Sequence, residues 1–121
     1  MFKRITISLV VMLMLSATAY AGNVEKTMQS AAVATGVGTV VGTSEMETKT
    51  IYIIATSVSS GAIIEIQTSY DGTNYTTIST QTIVANGTTE VAIVGLYHKY
   101  IRANITTWTD GTYTVYLLGK I

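Results

Sequence analysis

The sequence predicts an all-β protein, a single antiparallel β-sandwich or jelly roll of about seven to eight strands. Three observations carry this expectation. From Thr50 onward the composition turns to Ile, Val, Thr and Tyr, which crowd a helical backbone but fit a pleated surface. Apolar and polar residues alternate there at period two, with Glu65 between Ile64 and Ile66 and with Arg102 and Asn104 between Ile101, Ala103 and Ile105. Finally, Asp71-Gly72, Asn86-Gly87 and Asp110-Gly111 each sit between two β-rich runs, where glycine supplies the positive φ that a tight turn requires.

The first element is a leader. Met1-Phe2-Lys3-Arg4 is a positive n-region, Ile5 to Leu15 is apolar apart from Thr6 and Ser8, and Ala19-Tyr20-Ala21 has the small-x-small pattern of a signal-peptidase site. Residues 1–21 therefore read as a signal peptide, and cleavage after Ala21 would leave Gly22 first. The segment falls short of a bilayer span, and no second stretch approaches that length, so the mature chain is expected without a transmembrane segment. The expected location is secreted or extracytoplasmic, in the periplasm or at the cell surface.

Residues 22–49 follow as an N-terminal arm with a first strand. They are rich in Gly, Ala, Val, Thr and Ser, and an arm, a strand or a short helix around Val24 to Ala34 all fit, the helix less well than the others. Residues 50–121 form the sandwich body. Its candidate strands are Thr50 to Ser57, Ala62 to Tyr70, Tyr75 to Thr80, Thr88 to Val94, Tyr97 to Thr107 and Thr112 to Leu118, preceded by Val37 to Gly42 in the arm. The chain contains no proline, which favours unbroken ladders and leaves edge strands without one of their usual guards.

Register arithmetic on the last two strands favours a three-residue hairpin loop, Thr109-Asp110-Gly111, pairing Trp108 with Thr112. Ile101, Ala103 and Ile105 then share a face with Tyr113, Val115 and Leu117. Tyr100, Arg102, Asn104 and Trp108 would point outward beside Tyr116. The expected core is Ile64, Ile66, Ile101, Ile105, Val115 and Leu117.

Composition narrows the function. Hydrophobic residues make up 48% and charged ones 12%, with a mean hydropathy of +0.41, so the chain has the means to pack a core rather than stay disordered. Without the leader, five basic residues stand against seven acidic ones, a net charge of −2. Nucleic acid is thus not an expected partner, because phosphate binding needs clustered Lys and Arg. There is no cysteine, hence neither a disulfide framework nor a thiolate metal site.

Two segments carry a family likeness. Ile66-Gln67-Thr68-Ser69-Tyr70-Asp71-Gly72-Thr73-Asn74-Tyr75-Thr76-Thr77-Ile78 resembles the strand, S-x-D-G-x-x-aromatic turn and second strand of discoidin-like (coagulation factor 5/8 type C) β-sandwich modules. Tyr97-His98-Lys99-Tyr100-Ile101-Arg102-Ala103-Asn104-Ile105 resembles a later strand of the same modules, and is also similar to short all-β modules of phage virion and bacterial surface proteins. The resemblance spans residues 50 to 119 and implies a sandwich that recognises a surface. The chain departs from the discoidin pattern in its length, in Tyr75 where tryptophan is usual, and in lacking the terminal cysteines.

Catalytic constellations are sparse. His98 is the one histidine, too few for a histidine metal cluster, and it reads as a structural residue at a strand start. Asp71 and Asp110 are explained as turn residues, and Asp71, Thr73 and Asn74 read as an Asx-type turn in preference to a calcium site. No metal, cofactor or enzymatic activity is expected. The expected function is recognition, with a polysaccharide or cell-surface component as partner. The ligand-binding set is Tyr100, Arg102, Asn104, Trp108 and Tyr116, since rings stack on sugars and Arg or Asn orients hydroxyls. The alternative is a structural subunit of a surface layer, extracellular filament or virion, forming a homo-oligomer through the arm.

Overall fold

The computed structural model describes residues 23–44, 46–93 and 98–120; the expected leader lies outside them. Among the described residues there are nine strands and no helix. They are β1 (Asn23–Ala32), β2 (Gly36–Val37), β3 (Val41–Gly42), β4 (Thr48–Thr56), β5 (Ala62–Ser69), β6 (Thr76–Ile83), β7 (Gly87–Ile93), β8 (Tyr100–Trp108) and β9 (Thr112–Lys120). Sheet A has the order β1-β9-β4-β7. Sheet B has the order β2-β8-β5-β6, with β3 also paired to β8. All pairings are antiparallel.

Counting β2 and β3 as one interrupted strand along β8, each sheet has four positions, and the order is that of a double-sheet jelly roll. The expected strand Val37 to Gly42 is broken because Gly38 and Thr39 donate their backbone N–H groups to different strands, Gly38 to Ala103 O at 2.9 Å and Thr39 to Met28 O at 2.8 Å. The segment expected as an arm is largely β1, which pairs with the chain's own β9 from Asn23 to Ala32. Met28 and Gln29 hold it there. Met28 is 1% exposed, and the Gln29 amide donates to Gly36 O and Ala103 O at 3.1 and 3.0 Å, bridging β1 to sheet B.

The core lies between the sheets, and the alternation read from the sequence places it. Ile64, Ile66, Ile101, Ile105, Val115 and Leu117 are all buried, joined by Ile51, Ile53 and Tyr113. Burial along β4, β5, β8 and β9 follows the two-residue period, as expected of strands with one face inward.

Two of the three expected hairpins are instead crossovers between sheets. Asp71-Gly72 does lie in a hairpin, joining β5 to β6 within sheet B. Asn86-Gly87 joins β6 of sheet B to β7 of sheet A, and Asp110-Gly111 joins β8 of sheet B to β9 of sheet A. The pairing of Trp108 with Thr112 therefore does not exist. Trp108 pairs with Ala62 and Thr112 with Thr56. The reason is in the side chains of those turns. Asp110 accepts the backbone N–H groups of Ser59, Ser60 and Gly61 at 2.9 to 3.1 Å, and Asn86 Oδ1 accepts from Val58 N at 2.8 Å. Both residues thus tie their crossovers to the β4–β5 crossover.

Gly61 is the tight point of this end. Its φ is +101°, and a Cβ there would lie within 2 Å of Ile83 O, so a side chain is excluded by sterics as well as by conformation. Tyr113 closes the same end from β9, with its hydroxyl donating to Asp110 O at 2.7 Å.

Candidate functional site

The residues expected to bind ligand are divided between the two outer faces. Tyr100, Arg102 and Asn104 lie on the outer face of sheet B, opposite Ser69, Gln67 and Glu65 of β5. Tyr116 lies on the outer face of sheet A, opposite Tyr52 of β4 and Thr27 of β1. They cannot form one platform, because the whole core stands between them. Trp108 belongs to neither outer face. Along β8, Ile105 partners Ile64 and Thr107 partners Ile63, so Thr106 is an extra residue. Such a bulge reverses the parity beyond it. Trp108 accordingly turns with Ala62 toward the core, packs against it, and donates its indole N–H to Gly111 O at 3.0 Å.

On sheet B the β5–β6 loop folds back over the start of β8. Asp71 organises it by accepting from Thr73 N, Asn74 N and the Asn74 amide at 2.7 to 2.9 Å, while Ser69 Oγ donates to Asp71 Oδ1 and receives Asp71 N and Gly72 N. These bonds hold the Asp71 carboxyl well below the usual carboxylate range, the Asn74 and Thr73 backbone contributing most. Both its oxygens are occupied by donors of its own loop. The Asx turn thus accounts for the loop's geometry, and among the described residues no three His, Asp or Glu side chains converge as metal ligands would.

The loop delivers Tyr75 onto Arg102. The guanidinium carbon lies 3.6 Å from the centre of the Tyr75 ring, a close cation–π stack, and Arg102 Nε donates to Gln67 Oε1 at 2.8 Å. A Cβ at Gly72 would meet the Tyr100 ring at 3.4 Å, and Lys99 Nζ lies 5.6 Å from that ring's centre. Glu65 is turned the other way, accepting from Thr77 Oγ1 of β6 at 2.6 Å. The Tyr75 hydroxyl is buried with no partner among the described residues. Gln67 and the stacking role of Tyr75 were not legible in the sequence, since both depend on how β5 and its loop lie against β8.

On sheet A the outer face presents a Tyr52–Tyr116 pair at the centre, with Glu90 and Thr27 completing the row. Ile54 and Leu118 stand at opposite corners around it, 37% and 40% exposed. Tyr52 is a further residue the sequence did not single out; its outward parity between buried Ile51 and Ile53 was the available signal.

His98 sits at the end of the sandwich away from the crossover ties, beside Lys49. Lys49 points inward and is 6% exposed; burial lowers its pKa. The His98 pKa is also lowered, first by burial and then by the Lys49 charge. Thr43 Oγ1 donates to the His98 carbonyl, which fixes the backbone there.

The topology and the two solvent-facing sheet surfaces define a jelly-roll β-sandwich domain. Residues 42–118 match the family described as Domain of unknown function (DUF6385), and the chain belongs to that family. The match runs from β3 into β9, leaving β1 and β2 outside it. Among solved structures, the crystal structure of the SPBc2 prophage-derived protein YomS is similar, with a TM-score of 0.60 and 13% identity over 80% of this chain and 91% of that one. The likeness is one of fold. No curated protein sequence matches the chain.

Proposed function

We propose that the protein is an exported, non-enzymatic jelly-roll module that works by assembly, as a structural subunit of a surface layer, filament or virion. The observation that carries this reading is the outer face of sheet A. There the half-buried Tyr52–Tyr116 pair, with Ile54 and Leu118 exposed at opposite corners, lays an apolar diagonal along the solvent-facing side of the sheet. An exposed apolar patch with a polar surround is the usual mark of a protein contact. A second copy of the chain is the proposed occupant, since an isologous contact needs one self-complementary patch. The prophage-derived structural neighbour supports a phage-related setting.

Sedimentation equilibrium over a hundredfold concentration range tests this. The wild type should self-associate, and Tyr52→Lys or Tyr116→Lys should be monomeric while keeping the wild-type far-UV circular dichroism spectrum. A monomeric wild type at the highest concentration would overturn the reading.

The second reading is recognition of a polysaccharide, the role that the discoidin-like resemblance implies. The stacked Arg102 on sheet B favours it, without Trp108 or Tyr116.

A further inference from the structure

We infer that the outer face of sheet B holds a carboxylate-binding site centred on the Arg102 guanidinium, suited to an acidic saccharide such as a uronic acid unit of a polysaccharide. The inference concerns the face opposite the one assigned to assembly, so either can fail alone.

The guanidinium is fixed on two sides. The Tyr75 ring covers one flat face at 3.6 Å, and Gln67 Oε1 takes the Nε proton at 2.8 Å. The Nη1 and Nη2 groups have no partner among the described residues. With Nε engaged, the edge that remains is the end-on fork of the two terminal nitrogens, which matches the two oxygens of a carboxylate. Stacking and the Gln67 bond also hold the side chain in place before any ligand arrives, which lowers the ordering cost of binding.

Neither neighbouring carboxylate bonds to this fork. Glu65, two residues from Gln67 along β5, is bonded to Thr77 on the far side. Asp71 is saturated by its own loop. Neither forms an ion pair with Arg102 within 4 Å. Lys99 adds a second positive charge beside Tyr100, offsetting the carboxylates of Glu65 and Asp71, so selection of a carboxylate rests on the geometry of the fork.

The rest of the face suits a sugar better than an acidic peptide. Asn104 lies on the same side two residues along β8, about 7 Å away at strand spacing. It offers an amide to a hydroxyl while Arg102 takes the carboxylate. Glu65, directly across from Asn104, can accept from sugar hydroxyls, which a poly-glutamate chain lacks.

The test is calorimetric titration of the purified protein with a galacturonic acid oligomer, its methyl ester and poly-glutamate. The free acid should bind, weakening as salt rises, and the neutral ester should bind at least tenfold more weakly. Arg102→Lys keeps the charge but loses the fork and should also cost tenfold or more, whereas Val84→Ala, at an exposed position just beyond β6, should bind as the wild type does. Circular dichroism spectra matching the wild type establish that each variant is folded. Equal binding of acid and ester, undiminished binding by folded Arg102→Lys, binding of poly-glutamate alone, or no binding of any probe would each overturn the site.

Discussion

Trp108→Ala separates the structure from the outward placement that the sequence suggested. In the structure the indole packs against the edge of the core opposite Ala62 and donates to Gly111 O at 3.0 Å. Truncating a fully buried Trp costs about 3–5 kcal/mol. Trp108 is half-buried, so its share of that packing together with one neutral hydrogen bond comes to about 2–3 kcal/mol. For a domain of this size that corresponds to an unfolding midpoint lower by about 10–20 °C. Urea unfolding followed by far-UV circular dichroism is the suitable assay, because this is the chain's one tryptophan and the substitution removes its fluorescence. The midpoint should fall while the slope stays constant. Trp108→Phe, which keeps a ring and loses the bond, should cost about 1 kcal/mol. A loss under about 0.5 kcal/mol for the alanine variant would refute the bulge at Thr106 and return the ring to the outer face.

Ile105→Ala should cost about 2–5 kcal/mol in the same assay, because the side chain is fully enclosed between the sheets. Gly61→Ala should destabilise by at least about 1–3 kcal/mol, since it combines a strained φ with a clash against Ile83 O. The pH profile has two limbs. The folded-state pKa of His98 is lowered, so its contribution is present above the unfolded value near 6.5 and is lost as pH falls below it; His98→Gln should flatten that limb in melting scans. The carboxyls of Asp71 and Asp110 are also held low by hydrogen bonds, so their contribution is lost only as pH falls below about 4. Asp110→Asn should reduce that second loss, and an unchanged acid limb would count against the crossover ties.

The sequence by itself determined which side of β5, of β8 as far as Ile105, and of β9 faces inward. Every residue it placed in the core is buried, because a period-two alternation of apolar and polar side chains has one low-energy orientation once a core exists. It also supplied the Asx turn at Asp71 and the outward direction of Tyr100, Arg102 and Asn104. What it could not decide was which strands lie side by side. An apolar stripe on β8 and another on β9 are buried equally well in one sheet as a hairpin or face to face across a sandwich, so alternation is blind to the choice. The tertiary structure made it through long-range bonds: Asp110 to the backbone of Ser59, Ser60 and Gly61, and Asn86 to Val58. These bonds draw three connections to one end as crossovers. That choice sent Tyr116 to the opposite face from Arg102. The added residue at Thr106 turned Trp108 inward, because a single unpaired residue reverses every side chain beyond it.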